Sequence, residues 1–237
     1  MKTDLDTKER ILRAAKSEFA VKGFAGARME SIAIKAKANK AMIHYYFGSK
    51  EKLYKEVLIF IVGGSPKSDT MYSKCDTMNP PEKLITMVYF LVSMHSEGFD
   101  PDFHRMMAWD FAEGKSNMKL LVKNYIVPGL ERLESIVKEG IKTGDFETKH
   151  PLLVVWNFVS FLITFVGQRN MFKNTDLYEK LHPDDSKAML LDFFSTHIFK
   201  ELLPGNKSLK IPEVPKTFKT EMDKILKEMQ VKIRKSK

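Results

Sequence analysis

Cysteine occurs once in the 237 residues, at Cys75. One thiol excludes an internal disulfide and a zinc site built on several cysteines. Lys74 is the one basic neighbour that could lower its pKa, so the thiol is expected to be inert. Long apolar runs are as scarce. The longest, Leu152 to Val166, is interrupted by Asn157, Ser160 and Thr164 and falls short of the ~20 residues of a bilayer span. It reads as a buried helix. The opening MKTDLDTKER lacks the apolar core of a secretory signal, and the expected location is cytoplasmic, with no membrane partner. No glycine-rich phosphate loop, nucleophile elbow or zinc-protease helix occurs, so neither an enzyme nor a bound cofactor is expected. His95 and His104 flank the acidic SEGFDPDF. Two histidines at unconstrained spacing read as surface polar residues sooner than as a metal site, and no metal is assigned.

Persistent strand alternation is missing too. Apolar residues recur at helical spacing almost throughout, and the expected fold is all-α. The first helix is expected to open at Asp6-Thr7, with Asp6 as cap and Glu9 completing a capping box. Ile11, Leu12, Ala15 and Phe19 then face inward, and Gly23 closes the helix. A second helix spans about 29–36, with Met29, Ile32, Ala33 and Ala36 inward. Asn39 caps a third over 40–47, and Ser49 caps a fourth whose inner face is Leu53, Val57, Phe60 and Ile61. GGSP at 63–66 breaks or ends that helix. Further helical patterns lie near 82–97, 102–113, 118–142, 150–170 and 185–202, with Pro128 kinking or splitting the third of these. A Pro-punctuated linker at 204–215 leads to a last helix, 217–235, striped with Phe218, Met222, Ile225 and Met229. The expected division is 1–50, 51–203 (the helix near 51–62 connecting) and 204–237.

What the chain does have is charge, unevenly spread. Of the net +9, residues 1–55 hold 13 Lys/Arg against 6 Asp/Glu, or +7; residues 207–237 hold 10 against 4, or +6; the middle carries −4. A basic head on a mildly acidic body suits a head that meets a polyanion, although a solubilising bias would look the same.

The head contains KAKANKAMIHYYFGSKEKL, Lys35 to Leu53. Two short helices joined by Lys37-Ala38-Asn39 have the dimensions of a helix-turn-helix, whose second helix enters the major groove. Spacing puts Ile43 and Phe47 inward. It leaves Lys40, Ala41, His44 and Tyr45 outward, with Met42 and Tyr46 at the flanks. A cation, a small residue, an imidazole and a phenol fit base edges and phosphates better than they fit mere solvation. A plain surface histidine and a partly buried Tyr46 are the bland alternatives.

Residues 7–58 resemble, without a gap, the DNA-binding domain of the TetR family of transcriptional regulators. The resemblance rests on Gly23-Phe24, Ile32-Ala33, Ala36, NKAMIHYYF and Ser49-Lys50-Glu51. It implies a homodimer that binds a palindromic double-stranded operator, usually as a repressor, and is released by a small molecule held in a variable helical domain. Carried over by position, base contacts fall on Lys40, Ala41, His44 and Tyr45, and phosphate contacts on Asn39, Met42, Tyr46 and Lys50. Three positions depart from the pattern. Lys37 stands where a turn glycine is usual, Met42 cannot donate to a phosphate, and Ala27-Arg28 replaces a hydroxyl pair. Arg28 can itself reach a phosphate.

Beyond residue 65 the resemblance is one of architecture only. The body is rich in methionine and aromatic residues, each of which is ordinarily core, but which together suit an adaptable apolar cavity. An apolar or amphipathic effector is expected, with Phe90, Met94, Phe103, Met106, Met107, Trp109, Phe161 and Phe165 as candidate walls. Asp110, Gln168 and Arg169 are the candidate polar anchors. The helices near 150–170 and 185–202 are too apolar to be left bare and suggest a two-fold interface; burial within one subunit is the competing view. The basic last helix could fold back on the body, cross a dimer or lie on an anionic membrane. A membrane-surface or protein-interaction adaptor is accordingly the second reading of the whole chain.

Overall fold

The computed structural model describes residues 2–62, 73–98, 101–114, 119–183, 186–205, 207, 208 and 210–234, and among these there is no strand. The GGSP break expected at 63–66 lies outside the described residues.

The chain folds into two compact units. The first holds the described residues within Met1–Ser65 and Phe99–Asn124, together with the end of the last helix. Its elements are α1 (Lys2–Gly26), α2 (Met29–Lys35), α3 (Lys40–Phe47), α4 (Lys50–Val62) and α6 (Pro101–Glu113). The second unit holds α5 (Pro80–Ser93), α7 (Val127–Thr143), α8 (Pro151–Gly167), α9 (Asp176–Leu181), α10 (Ser186–Leu202) and most of α11 (Lys216–Arg234). This grouping differs from a division at residue 50, because α4 and α6 lie with the N-terminal helices.

In the first unit α1 packs on α2, α4 and α6. Ile11, Leu12, Ala15 and Phe19 are buried as their spacing requires. The helix opens earlier than a capping box at Asp6 would place it. Asp6 and Glu9 lie inside it and pair one turn on, with Arg10 and Arg13. Carboxylates near a helix start satisfy an i, i+4 arginine as readily as a cap, so spacing alone does not separate the two uses. Gly23 then interrupts the helix at φ 67° and ψ 178°. The inner face of α4 is rotated from the expected one: Leu53, Tyr54, Val57 and Leu58 are buried, while Phe60 and Ile61 are half exposed. Tyr54 closes an aromatic cluster with Phe19 (4.8 Å between ring centres) and Phe24 (5.3 Å). That cluster turns the helix about its axis.

In the second unit α5 packs on α7 and α10, and α8 on α7 and α10. Asn79 and Glu82 form a reciprocal capping box at the start of α5. The helix expected near 118–142 is split: Lys119–Leu121 runs through a π turn at Val122–Ile126 into α7, which carries Pro128 in its first turn. Pro128 has no N–H to give the turn before it, and the helix passes that point through the π turn. The last helix folds back on its own unit. Phe218, Met222, Leu226 and Met229 are buried, Phe218 meets the ring of Tyr89 at 6.4 Å, and Lys74 pairs with Glu221 at 2.7 Å.

Candidate nucleic-acid interface

The site is built on α2 and α3. Asn39 takes an extended conformation, and its side chain accepts a hydrogen bond from the backbone N–H of Met42 at 2.8 Å. Asn39 therefore spends its oxygen on starting the helix, which fixes where α3 begins and which side chains face out. The turn before it holds Lys37 at φ 49°, a left-handed conformation that a side chain adopts at some cost. Arg28 precedes α2 without a side-chain cap, as the missing hydroxyl pair requires, and is itself exposed.

Ile43 and Phe47 are buried. Lys40, Ala41, His44 and Tyr45 are exposed, Tyr45 to 82%. Met42 and Tyr46 are half-buried at the flanks, and the Tyr45 and Tyr46 rings touch edge to face at 5.2 Å. A phenol left so far out of a well-formed helix has little to gain in water alone. The Lys40 ammonium pairs with Glu30 of α2 at 2.5 Å, and that contact holds the Glu30 carboxyl below its usual range. His44 is bound twice to Gly48. Its carbonyl accepts from Gly48 N–H at 2.8 Å, and its Nδ1 lies 2.9 Å from Gly48 O. Ser49 accepts from the Lys52 N–H at 3.2 Å at the head of α4. Lys50 sits over the Phe24 ring at 4.9 Å and donates to Ala25 O at 3.3 Å. It is tied to the end of α1 as well as near the surface.

The end of α1 is gripped from α6. The Trp109 indole donates to Ala20 O at 3.2 Å. Glu113 accepts from Ala25 N–H at 3.1 Å. A Cβ at Gly23 would collide with the Glu113 carboxylate and lie 3.0 Å from the Trp109 ring. Nothing in the spacing of residues points to this grip, because it joins positions almost ninety apart. Burial, reinforced by the charges of Asp110 and Glu113, holds the Tyr54 phenol firmly protonated.

The residues named for an effector fall on both units. Phe103, Met106 and Met107 are buried in the first, with Trp109 and Asp110 on the same helix. Phe90 and Met94 are buried in the second, where Phe161 is 47% exposed and Phe165 stacks on it at 6.1 Å. Gln168 and Arg169 are exposed there, and Arg169 donates to the Tyr178 hydroxyl at 3.2 Å. His95 and His104 are buried, not at the surface as expected. They lie in different units, and among the described residues no three ligating side chains gather. Burial raises the Cys75 thiol to about 11. Among the described residues no helix is long and apolar enough to cross a membrane.

A capped second helix with an exposed outer face, packed beside a short first helix whose Ile32 and Ala33 are buried, is a helix-turn-helix, the architecture of a DNA-binding protein. Residues 11–57 match the family described as bacterial regulatory proteins, tetR family. The HTH-type transcriptional repressor NicS of Pseudomonas putida is 28% identical over 195 residues, 80% of this chain and 89% of NicS. The HTH-type transcriptional repressor SCO4008 of Streptomyces coelicolor is 52% identical over 52 residues, 22% of this chain and 27% of its own length. Among solved structures, HlyIIR, a hemolysin II transcriptional regulator, shares the fold at a TM-score of 0.56 and 24% identity, covering 80% of this chain and 97% of its own. A putative regulator from Saccharomonospora viridis, solved with choline, shares it at 0.60 and 18%, covering 83% and 97%. Over residues 11–57 the chain thus carries a helix-turn-helix that matches the DNA-binding part of the tetR family of bacterial regulatory proteins.

Proposed function

We propose that the protein is a homodimeric repressor that reads a palindromic operator through α3 and leaves it when an apolar or amphipathic small molecule binds the body. The observation that carries this is the outer face of α3: Lys40, Ala41, His44 and Tyr45 exposed together over a buried Ile43 and Phe47. These four take the base edges, and Arg28, Asn39, Met42, Tyr46 and Lys50 follow the phosphates. Met42 can only pack there, and Asn39 acts mainly by setting the helix start. Repression is the activity named for NicS and for SCO4008, and both relatives favour it over a membrane-surface adaptor.

The dimer reading rests on α8 and α10. Val155, Phe158 and Leu162 are buried under α8, but Leu153 is 61% exposed, Trp156 49% and Phe193 of α10 48%. A single subunit therefore leaves bare an aromatic face that a second copy would cover. Two readers are also what a palindrome needs. The test is selection of bound duplex from a random pool, with molecular mass measured alongside. We expect a palindrome whose half-sites lie about one helical turn apart. A strictly monomeric protein, or one that prefers no sequence over bulk genomic fragments at cellular ionic strength, overturns the proposal. A thermal-shift screen of lipids, aromatics and drug-like compounds tests the effector; a body stabilised by none of them removes that part.

A further inference from the structure

His44 is fastened in a way that decides what it can read. Gly48, at φ 75°, ends α3 and donates its N–H to the His44 carbonyl at 2.8 Å. The Gly48 carbonyl in turn lies 2.9 Å from His44 Nδ1. A carbonyl oxygen can only accept, so Nδ1 must carry the proton. In the neutral ring that leaves Nε2 with a bare lone pair. The residue is exposed on the outer face of the helix. The same loop that ends the recognition helix therefore also sets the polarity of one of its readers.

We infer that His44 is an acceptor-type base reader, which takes a hydrogen bond at Nε2 from the exocyclic amino group of adenine (N6) or cytosine (N4) in the major groove. This rests on the operator reading above and narrows it. Phosphate oxygens accept and do not donate, so a lone pair facing them is repelled; the neutral ring cannot serve as a phosphate clamp. Guanine N7 and O6 and thymine O4 are also acceptors and are disfavoured opposite it. Lys40, four residues earlier on the same face, has the opposite polarity. Its ammonium only donates and suits guanine N7 and O6. Each half-site should then present a guanine to Lys40 and, beside it, an adenine or cytosine amino group to His44.

Two measurements in alkaline buffer test this. The first is nitrogen-resolved NMR of the histidine rings in the free, full-length protein, with the His44 signals identified by their loss in His44→Gln. The Nδ1–H pattern is expected; a dominant Nε2–H pattern overturns the inference. The second uses the selected operator with adenine replaced by purine, or cytosine by 2-pyrimidinone, one position at a time. Each change removes only the amino group. At one position per half-site the wild-type protein should lose about tenfold in affinity, the size of one good hydrogen bond. His44→Ala should be indifferent there. The wild-type comparison stands even if the alanine variant folds poorly. No amino-dependent position, or one that persists unchanged in a folded His44→Ala, overturns the inference alone. A pool that yields no palindrome overturns the operator reading and this inference with it.

Discussion

Glu30 is the residue whose charge runs against the rest of the reader. Its carboxylate pairs with the Lys40 ammonium, and both side chains are more than half exposed. Docking on a duplex asks Lys40 to exchange that carboxylate for a guanine or a phosphate, and brings Glu30 towards like charge. Glu30→Gln should therefore bind all duplexes several-fold more tightly at low salt, and the gain should vanish at high salt, because exposed pairs are strongly screened. Titrations at two ionic strengths read this directly; unchanged or weaker binding at low salt would count against Lys40 as a DNA contact. Gly23 is a second residue with a local argument. At φ 67° and ψ 178°, a region almost reserved for glycine, an L side chain already costs about 1–3 kcal/mol, and here its Cβ would also collide with Glu113. Gly23→Ala should lower the melting temperature by at least about 5 °C, measured by circular dichroism. A neutral result would mean that the α1 break is not as drawn.

At the scale of elements, structure is legible in the sequence where it is made locally. Asn39 capping α3, Ile43 and Phe47 beneath it and the four outward side chains follow from spacing within one short segment, and the structure has them all. Legibility falls where a distant partner decides. The apolar residues of α4 point to one inner face, but Phe24 and Phe19 select Tyr54 and Leu58 over Phe60 and Ile61. By composition Trp109 is one more aromatic of the body, yet it donates to Ala20 and packs on Gly23. No pattern within its own helix records that. For α8 the pattern is legible in kind: a helix apolar on nearly every side needs cover. The single subunit covers the side of Val155, Phe158 and Leu162 and leaves Leu153 and Trp156 out. Trp156→Lys should then convert the protein to a monomer by light scattering and weaken full-operator binding far more than half-site binding. A dimer that survives the lysine moves the interface elsewhere.

At the scale of the whole molecule, charge and burial assign different work to the two basic ends. The N-terminal +7 lies on the reader, with Lys40, Arg28 and Lys50 at or near the surface. The C-terminal +6 is spread over residues 207–237, and the apolar stripe of the helix within that stretch is already used within its own unit, through Phe218, Met222, Leu226 and Met229. An amphipathic helix cannot give the same stripe to a membrane and to its own core; the close approach of Gly98, where a Cβ would lie 3.1 Å from Leu226, is made for the core. Burying each of those four side chains is worth about 2 kcal/mol, against a typical total of about 5–15 kcal/mol for a whole protein. Deleting residues 216–237 should accordingly lower the melting temperature by about 10 °C or more, while the full-length chain shows no co-sedimentation with anionic liposomes at physiological salt. If the truncated protein melts as the intact one does and the intact one pellets with vesicles, the stripe serves a lipid surface, and the basic end has a function separate from the reader's.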